Sequence, residues 1–158
     1  MFGAMSSLAA SMSEATHIGL RGIASERQAN IASTFIHLNH HCVSIVDGEA
    51  VIDYAALRVS DGDLAAVEFG RPQVAAGRRV SVDFSRIGGD GGDYVYLYAY
   101  TPELKLGCLS LPTNRGGSSV SLTLPRCWAG REAHLYGFVW DSDLRCSPTT
   151  YLGNITLE

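Results

Sequence analysis

The sequence predicts an α+β fold: a helical segment over residues 1–41 packed on an antiparallel β-sandwich over residues 42–158, as a single folding unit. Three observations carry this. Apolar residues recur at steps of three and four in the opening segment. Beyond about residue 42 they alternate instead, between turns marked by Gly, Asp, Asn and Pro. Two later strands are apolar or aromatic on both faces, so both faces need cover, and the opening helices can supply one of the covers.

Two helical stretches account for the opening segment. In the first, Met5, Leu8, Ala9, Met12, Thr16 and Leu20 share a face, and Gly19 and Gly22 are expected to weaken its far end. The second is predicted to open at Ser25-Glu26-Arg27-Gln28, an S-x-x-Q capping box, and to bury Ile31, Phe35, Leu38 and Cys42.

The β segment reads as six to eight short strands at roughly ten-residue spacing. Val80, Val82 and Phe84 alternate with Ser81 and Asp83, and Val120, Leu122 and Leu124 alternate with Ser119, Ser121 and Thr123. Asp47-Gly48, Asp61-Gly62 and Asn114-Arg115-Gly116-Gly117 are turn signals, and Pro125 ends a strand. YVYLYAY places Tyr94, Tyr96, Tyr98 and Tyr100 opposite Val95, Leu97 and Ala99, and HLYGFVW places His134, Tyr136, Phe138 and Trp140 opposite Leu135, Gly137 and Val139. These two strands are expected to be central and adjacent, with Trp128 and Gly130 at the crossover between sheets and Trp128 plugging one end of the core.

Size and charge narrow the function. A chain of 158 residues can bury about 70% of the surface its unfolded form exposes. Hydrophobic residues at 46% against 18% charged indicate a folded domain. A net charge of −4 without a basic stripe argues against nucleic acid as a partner. No apolar run approaches the ~20 residues that span a bilayer. The N-terminus lacks a basic leader, and serines interrupt its apolar residues, so no signal peptide is expected and the location defaults to the cytoplasm or an assembled particle. Cys42, Cys108, Cys127 and Cys146 show no C-x-x-C spacing, and reduced thiols are expected.

Several motifs invite chemistry. Gly88–Tyr96 fits the calcium nonapeptide G-G-x-G-x-D-x-U-x. That motif works by stacking about three or more copies, and one copy is present, so a plain loop is expected. His37 and His41 lie four apart, but H-L-N-H-H lacks the glutamate of a zinc-protease helix and a third ligand. Asp61, Asp63, Asp141 and Asp143 read as turn residues. No G-x-S-x-G elbow or phosphate loop occurs. No catalytic residue, metal site or cofactor is therefore predicted. The aromatic face remains, with Tyr96, Tyr98, Tyr136 and Trp140 as the candidate binding residues if it is exposed, and as core if it is not.

The stretch LTLPRCWAGREAHLYGFVWDSDLRCSPTTYLGNITL, from Leu122 to Leu157, resembles the C-terminal part of a family of small hypothetical proteins of unknown function from Bacteroidetes-type bacteria. VIDYAALRVSDGDLAAV and YVYLYAYTPEL followed by GCLSLP are similar to the same family. Its members begin with a further glycine-rich, basic segment that this chain lacks, which the resemblance reads as a truncation or a fragment. The region also has the rhythm of an Ig/fibronectin-III-like sandwich, a likeness of fold that assigns no function. The leading expectation is a non-enzymatic structural or protein-interaction module, part of a surface or phage-like assembly, with an unknown protein partner or self-association. A carbohydrate-binding module using the aromatic face is the alternative, and a metal-dependent enzyme at His37 and His41 is the least favoured.

Overall fold

The structure, a computed structural model, describes residues 2–85 and 88–157. Among these residues the helices are α1 (Phe2–Ser11), α2 (Ser13–Gly19), α3 (Arg21–Glu26) and α4 (Ile31–Asn39). A hairpin of β1 (Val43–Val46) and β2 (Glu49–Ile52) follows, then β3 (Glu68–Phe69), β4 (Gln73–Ala75), β5 (Arg79–Ser85) and β6 (Tyr94–Thr101). The chain continues through β7 (Leu106–Leu109), β8 (Thr113–Asn114), β9 (Ser119–Thr123), β10 (Glu132–Trp140) and β11 (Thr150–Thr156). The class is α+β and all strand pairs are antiparallel.

Three layers stack. The middle sheet runs β11-β10-β6-β7, with β8 also paired to β6. β5 centres the outer sheet, with β9 on one edge. β3 and β4 share the other edge, with the register slipping by one residue between them. The helices form the third layer. The odd residues of β6 and β10 (Val95, Leu97, Ala99, Leu135, Val139) join Val80, Val82, Val120, Leu122 and Leu124 in an aliphatic core. The even residues join Met5, Leu8, Met12, Leu20 and Phe35 in a second, aromatic core. The predicted central pair is thus in place and covered on both sides.

The predicted first helix keeps its buried face from Met5 to Leu20 but is built in pieces, with non-helical ψ at Met12 and Leu20. Its glycines have a different reason from the one the sequence suggests. A Cβ on Gly19 would stand 2.2 Å from the Val59 carbonyl oxygen, and one on Gly22 would stand 2.3 Å from that of Leu144. They admit close backbone approach rather than fraying an end. The predicted capping box is also corrected. Ser25 lies inside α3, Gln28 adopts φ 53°, and α4 is capped by Asn30, whose side chain accepts from the Ser33 amide at 2.7 Å.

One further expectation changes. Eleven strands occur among the described residues rather than six to eight, because strands of two to four residues are too short to display a period. The hairpin that follows residue 42 forms its own two-stranded sheet, and the first strand in a larger sheet is β3. The turn at Asp47-Gly48 is as expected, with both residues at positive φ, the geometry of a two-residue hairpin loop. Trp128 sits in a 3-10 turn between β9 and β10, buried in the aliphatic core at the predicted crossover.

Loop side chains complete the ladders. Ser110 and Ser147 each accept a strand amide, from Leu97 and Val139 respectively, both at 2.9 Å. Glu14 of α2 accepts the Leu109 amide on β7 at 2.6 Å, tying the helical layer to the sheet. Buried Asn39 donates to the carbonyls of Phe35 and Arg58 and accepts the Arg58 amide, fixing the segment after the hairpin to α4.

Candidate functional site

The register of β6 against β10 pairs Tyr94 with Trp140, Tyr96 with Phe138, Tyr98 with Tyr136 and Tyr100 with His134. Ring centroids across these pairs lie 5.6 Å apart for Tyr94–Trp140, 5.4 Å for Tyr96–Phe138 and 6.3 Å for Tyr98–Tyr136. The four predicted binding residues therefore do share one face. That face is not open. Tyr96, Tyr98 and Tyr136 are buried under the helices, and only Trp140, at the end of the row, is partly exposed.

Burial has left its mark on the hydroxyls. The Tyr136 hydroxyl donates to the Tyr54 carbonyl oxygen at 2.7 Å, and those of Tyr100 and Ser11 share a hydrogen bond of 2.9 Å. The Tyr98 hydroxyl and the Trp140 indole Nε1 have no partner among the described residues. Desolvation pushes the phenols of Tyr98 and Tyr136 far up, and that of Tyr54 up to about 12.

At the other end of the row the face is plugged from outside. Tyr54, in a 3-10 turn after the hairpin, stacks on His134 with centroids 4.5 Å apart and on Tyr100 at 6.0 Å. His134 Nδ1 lies 2.7 Å from the Tyr151 hydroxyl, and its Nε2 lies 3.3 Å from Glu132. An extra residue in β11, Leu152 opposite the Leu135/Tyr136 step, makes the bulge that precedes this contact. The order carboxylate, imidazole, phenol is that of a proton relay. Burial, then Glu132 and Asp53, raise the Tyr151 phenol, so it stays protonated and makes a poor nucleophile at neutral pH. The row works as a latch holding β11 to β10.

A groove of about 330 Å³ opens beside this plug. Its floor is Tyr54 and Tyr100, one wall is α1 and the other is β2 through Ala50 and Ile52, with Lys105 on the lip. Tyr100 is visible in the sequence as part of the tyrosine strand. Nothing in the sequence brings Tyr54 or the β2 edge to it, because those contacts span long stretches of chain.

The remaining motifs resolve as follows. Asp93, the sixth residue of the calcium-like stretch, is buried and ion-paired at 2.9 Å with Arg115, whose guanidinium is fully buried and also donates to the carbonyls of Ala65 and Ala66. A Cβ on Gly89 would fall 2.4 Å from that guanidinium, so this glycine lets the loop wrap an arginine. The sequence marked Arg115 only as a turn residue, since a single buried cation has no periodic signature. His37 and His41 are both exposed, at the end of α4 and in the 3-10 turn after it. Among the described residues no three His, Cys, Asp or Glu side chains are grouped to hold a metal. A cavity of about 510 Å³ is bordered by Glu26, Asp61, Asp63 and Asp143, and Asp61 and Asp141 do accept turn amides as predicted. The four cysteines are free thiols. Among the described residues no helix is long and apolar enough to cross a membrane.

Comparison with protein-family models, with curated proteins and with solved structures found no match.

Proposed function

We propose that the protein is a non-enzymatic protein-interaction module, built on an Ig/fibronectin-III-like sandwich of the Bacteroidetes family that its C-terminal region resembles, and working in a surface or phage-like assembly. One observation carries the reading. The β1–β2 hairpin stands apart from both larger sheets, yet Ile45 is 53% exposed, Val46 51% and Val51 47%. The register sets Val46 and Val51 on one face of the hairpin and Ile45 on the other. A lone two-stranded hairpin is marginal in water, and aliphatic side chains left exposed on both of its faces favour a partner that covers them. The closure of the aromatic face over Tyr96, Tyr98 and Tyr136 favours this over sugar stacking, which needs open rings.

The test is photo-crosslinking in the native cell from a benzophenone side chain at position 45, with Thr123 on the outer sheet as the control site. A discrete adduct from position 45 and none from position 123 supports the reading. Equal, diffuse labelling from both sites, or none from either, overturns it.

A further inference from the structure

We propose that the groove between α1 and β2 receives the C-terminal end of an extended peptide, which adds to the free edge of β2 as a third strand and sets its carboxylate at Lys105. This rests on the protein-interaction reading and names the chemistry of the partner.

The backbone carries the first step. The two-residue turn closes Val46 against Glu49, and bonded pairs then alternate down an antiparallel hairpin. The Asp53 amide donates to the Cys42 carbonyl at 2.8 Å, which fixes that phase: 46–49, 44–51 and 42–53 are bonded pairs. The amides and carbonyls of Ala50 and Ile52 consequently point away from β1. No described strand pairs that edge of β2, and Ala50 and Ile52 both line the groove. A row of unpaired backbone groups is a template for an added strand. β2 carries no lysine or proline, and its one charged residue, Glu49, sits at the turn end, ahead of Ala50 and Ile52.

The opposite wall makes room. α1 presents Gly3, Ala4 and Ser7 to the groove, and a chain beside β2 needs small residues across from it. Charge then selects the end of the peptide. Lys105 is the only charged side chain among the described lining residues, and it takes part in none of the ion pairs of the described structure. Its neighbour Glu103 pairs with Arg131 instead. A lone ammonium at a groove without carboxylates favours an anionic group, and the carboxylate every chain carries is its C-terminal one. The volume, near the lower end of about 300–1,000 Å³ for ligand sites, suits the last few residues and no more.

The test uses the full chain and a library of random heptapeptides displayed with free C-termini. Enriched sequences are made as fluorescein-labelled peptides, in acid and C-terminal amide forms, and titrated by anisotropy and by amide NMR. The proposal expects shifts at Ala50 and Ile52, about tenfold weaker binding for the amide form and for Lys105→Gln, and loss of binding in Ala50→Pro, whose missing N–H is outside the β1–β2 ladder. Ser7→Phe, on the exposed side of α1, fills the groove without touching β2 and should also abolish binding. No enrichment, binders that shift residues elsewhere, or equal affinity of acid and amide overturns it. So does a concentration-dependent dimer that produces the same shifts, which would make a second copy the occupant. If the library fails while position 45 still crosslinks a discrete partner, the groove assignment falls and the module reading stands.

Discussion

The two faces of β6 and β10 are built from the same strands in the same register, yet they hold together differently. Val95, Leu97, Ala99, Leu135 and Val139 meet a second sheet whose buried side chains are mostly aliphatic, with Phe84 on β5 and Trp128 at the crossover as the buried aromatics. Tyr96, Tyr98, Tyr100, Tyr136 and His134 meet helices and a plugging turn, and each hydroxyl or ring nitrogen requires a partner or goes without. An aliphatic layer is stabilised by area and close packing alone. An aromatic layer adds geometry, polar handles and sensitivity to protons.

The largest contrast should come from truncation. Leu97→Ala leaves a cavity at the centre of the aliphatic layer and should cost about 2–5 kcal/mol in urea unfolding followed by circular dichroism. A loss under 1 kcal/mol would mean that the two sheets collapse freely onto each other, and the comparison fails.

Proton sensitivity should separate the layers next. Tyr54 is raised from 10.0 to about 12, and Tyr98 and Tyr136 are raised further, all chiefly by burial. The unfolded chain ionises these phenols first. Stability is therefore whole below pH 10 and falls as pH rises from 10 through 12, with tyrosinate absorbance appearing together with unfolding. In Leu97→Ala the same slope should persist, displaced downward. A tyrosinate signal that precedes unfolding would show that the helices do not seal this face.

The smallest effect is the most discriminating. Tyr136→Phe removes a hydroxyl that donates to Tyr54 and should cost about 0.5–1.5 kcal/mol. Tyr98→Phe removes one with no described partner and should leave the melting temperature unchanged or higher. Equal losses in the two variants would put a partner on Tyr98.

The same division separates what was legible in the sequence. Alternation in YVYLYAY and HLYGFVW announced two-sided strands, and their pairing and double cover followed from the need to bury both faces. The helix face from Met5 to Leu20 was legible for the same reason. The capping box was not reliable, because Ser25 can sit inside one helix as readily as cap the next, and Asn30 stood ready two residues beyond Gln28. Gly19, Gly22 and Gly89 read as flexible points, whereas each is a place where another segment comes close. Of the candidate site, Tyr100 was visible, while Tyr54, Ala50, Ile52 and Lys105 were not.

Sequence alone determined which residues had to be buried, since periodicity encodes the solvent preference of each face locally. It determined the class and the central strand pair. Tertiary structure decided the particular contacts: that Tyr54 plugs the end of the tyrosine row against His134, that Arg115 meets Asp93, and that α1 runs beside the open edge of β2. Those are contacts between segments distant along the chain, and no local pattern of side chains records a neighbour that only folding brings into reach.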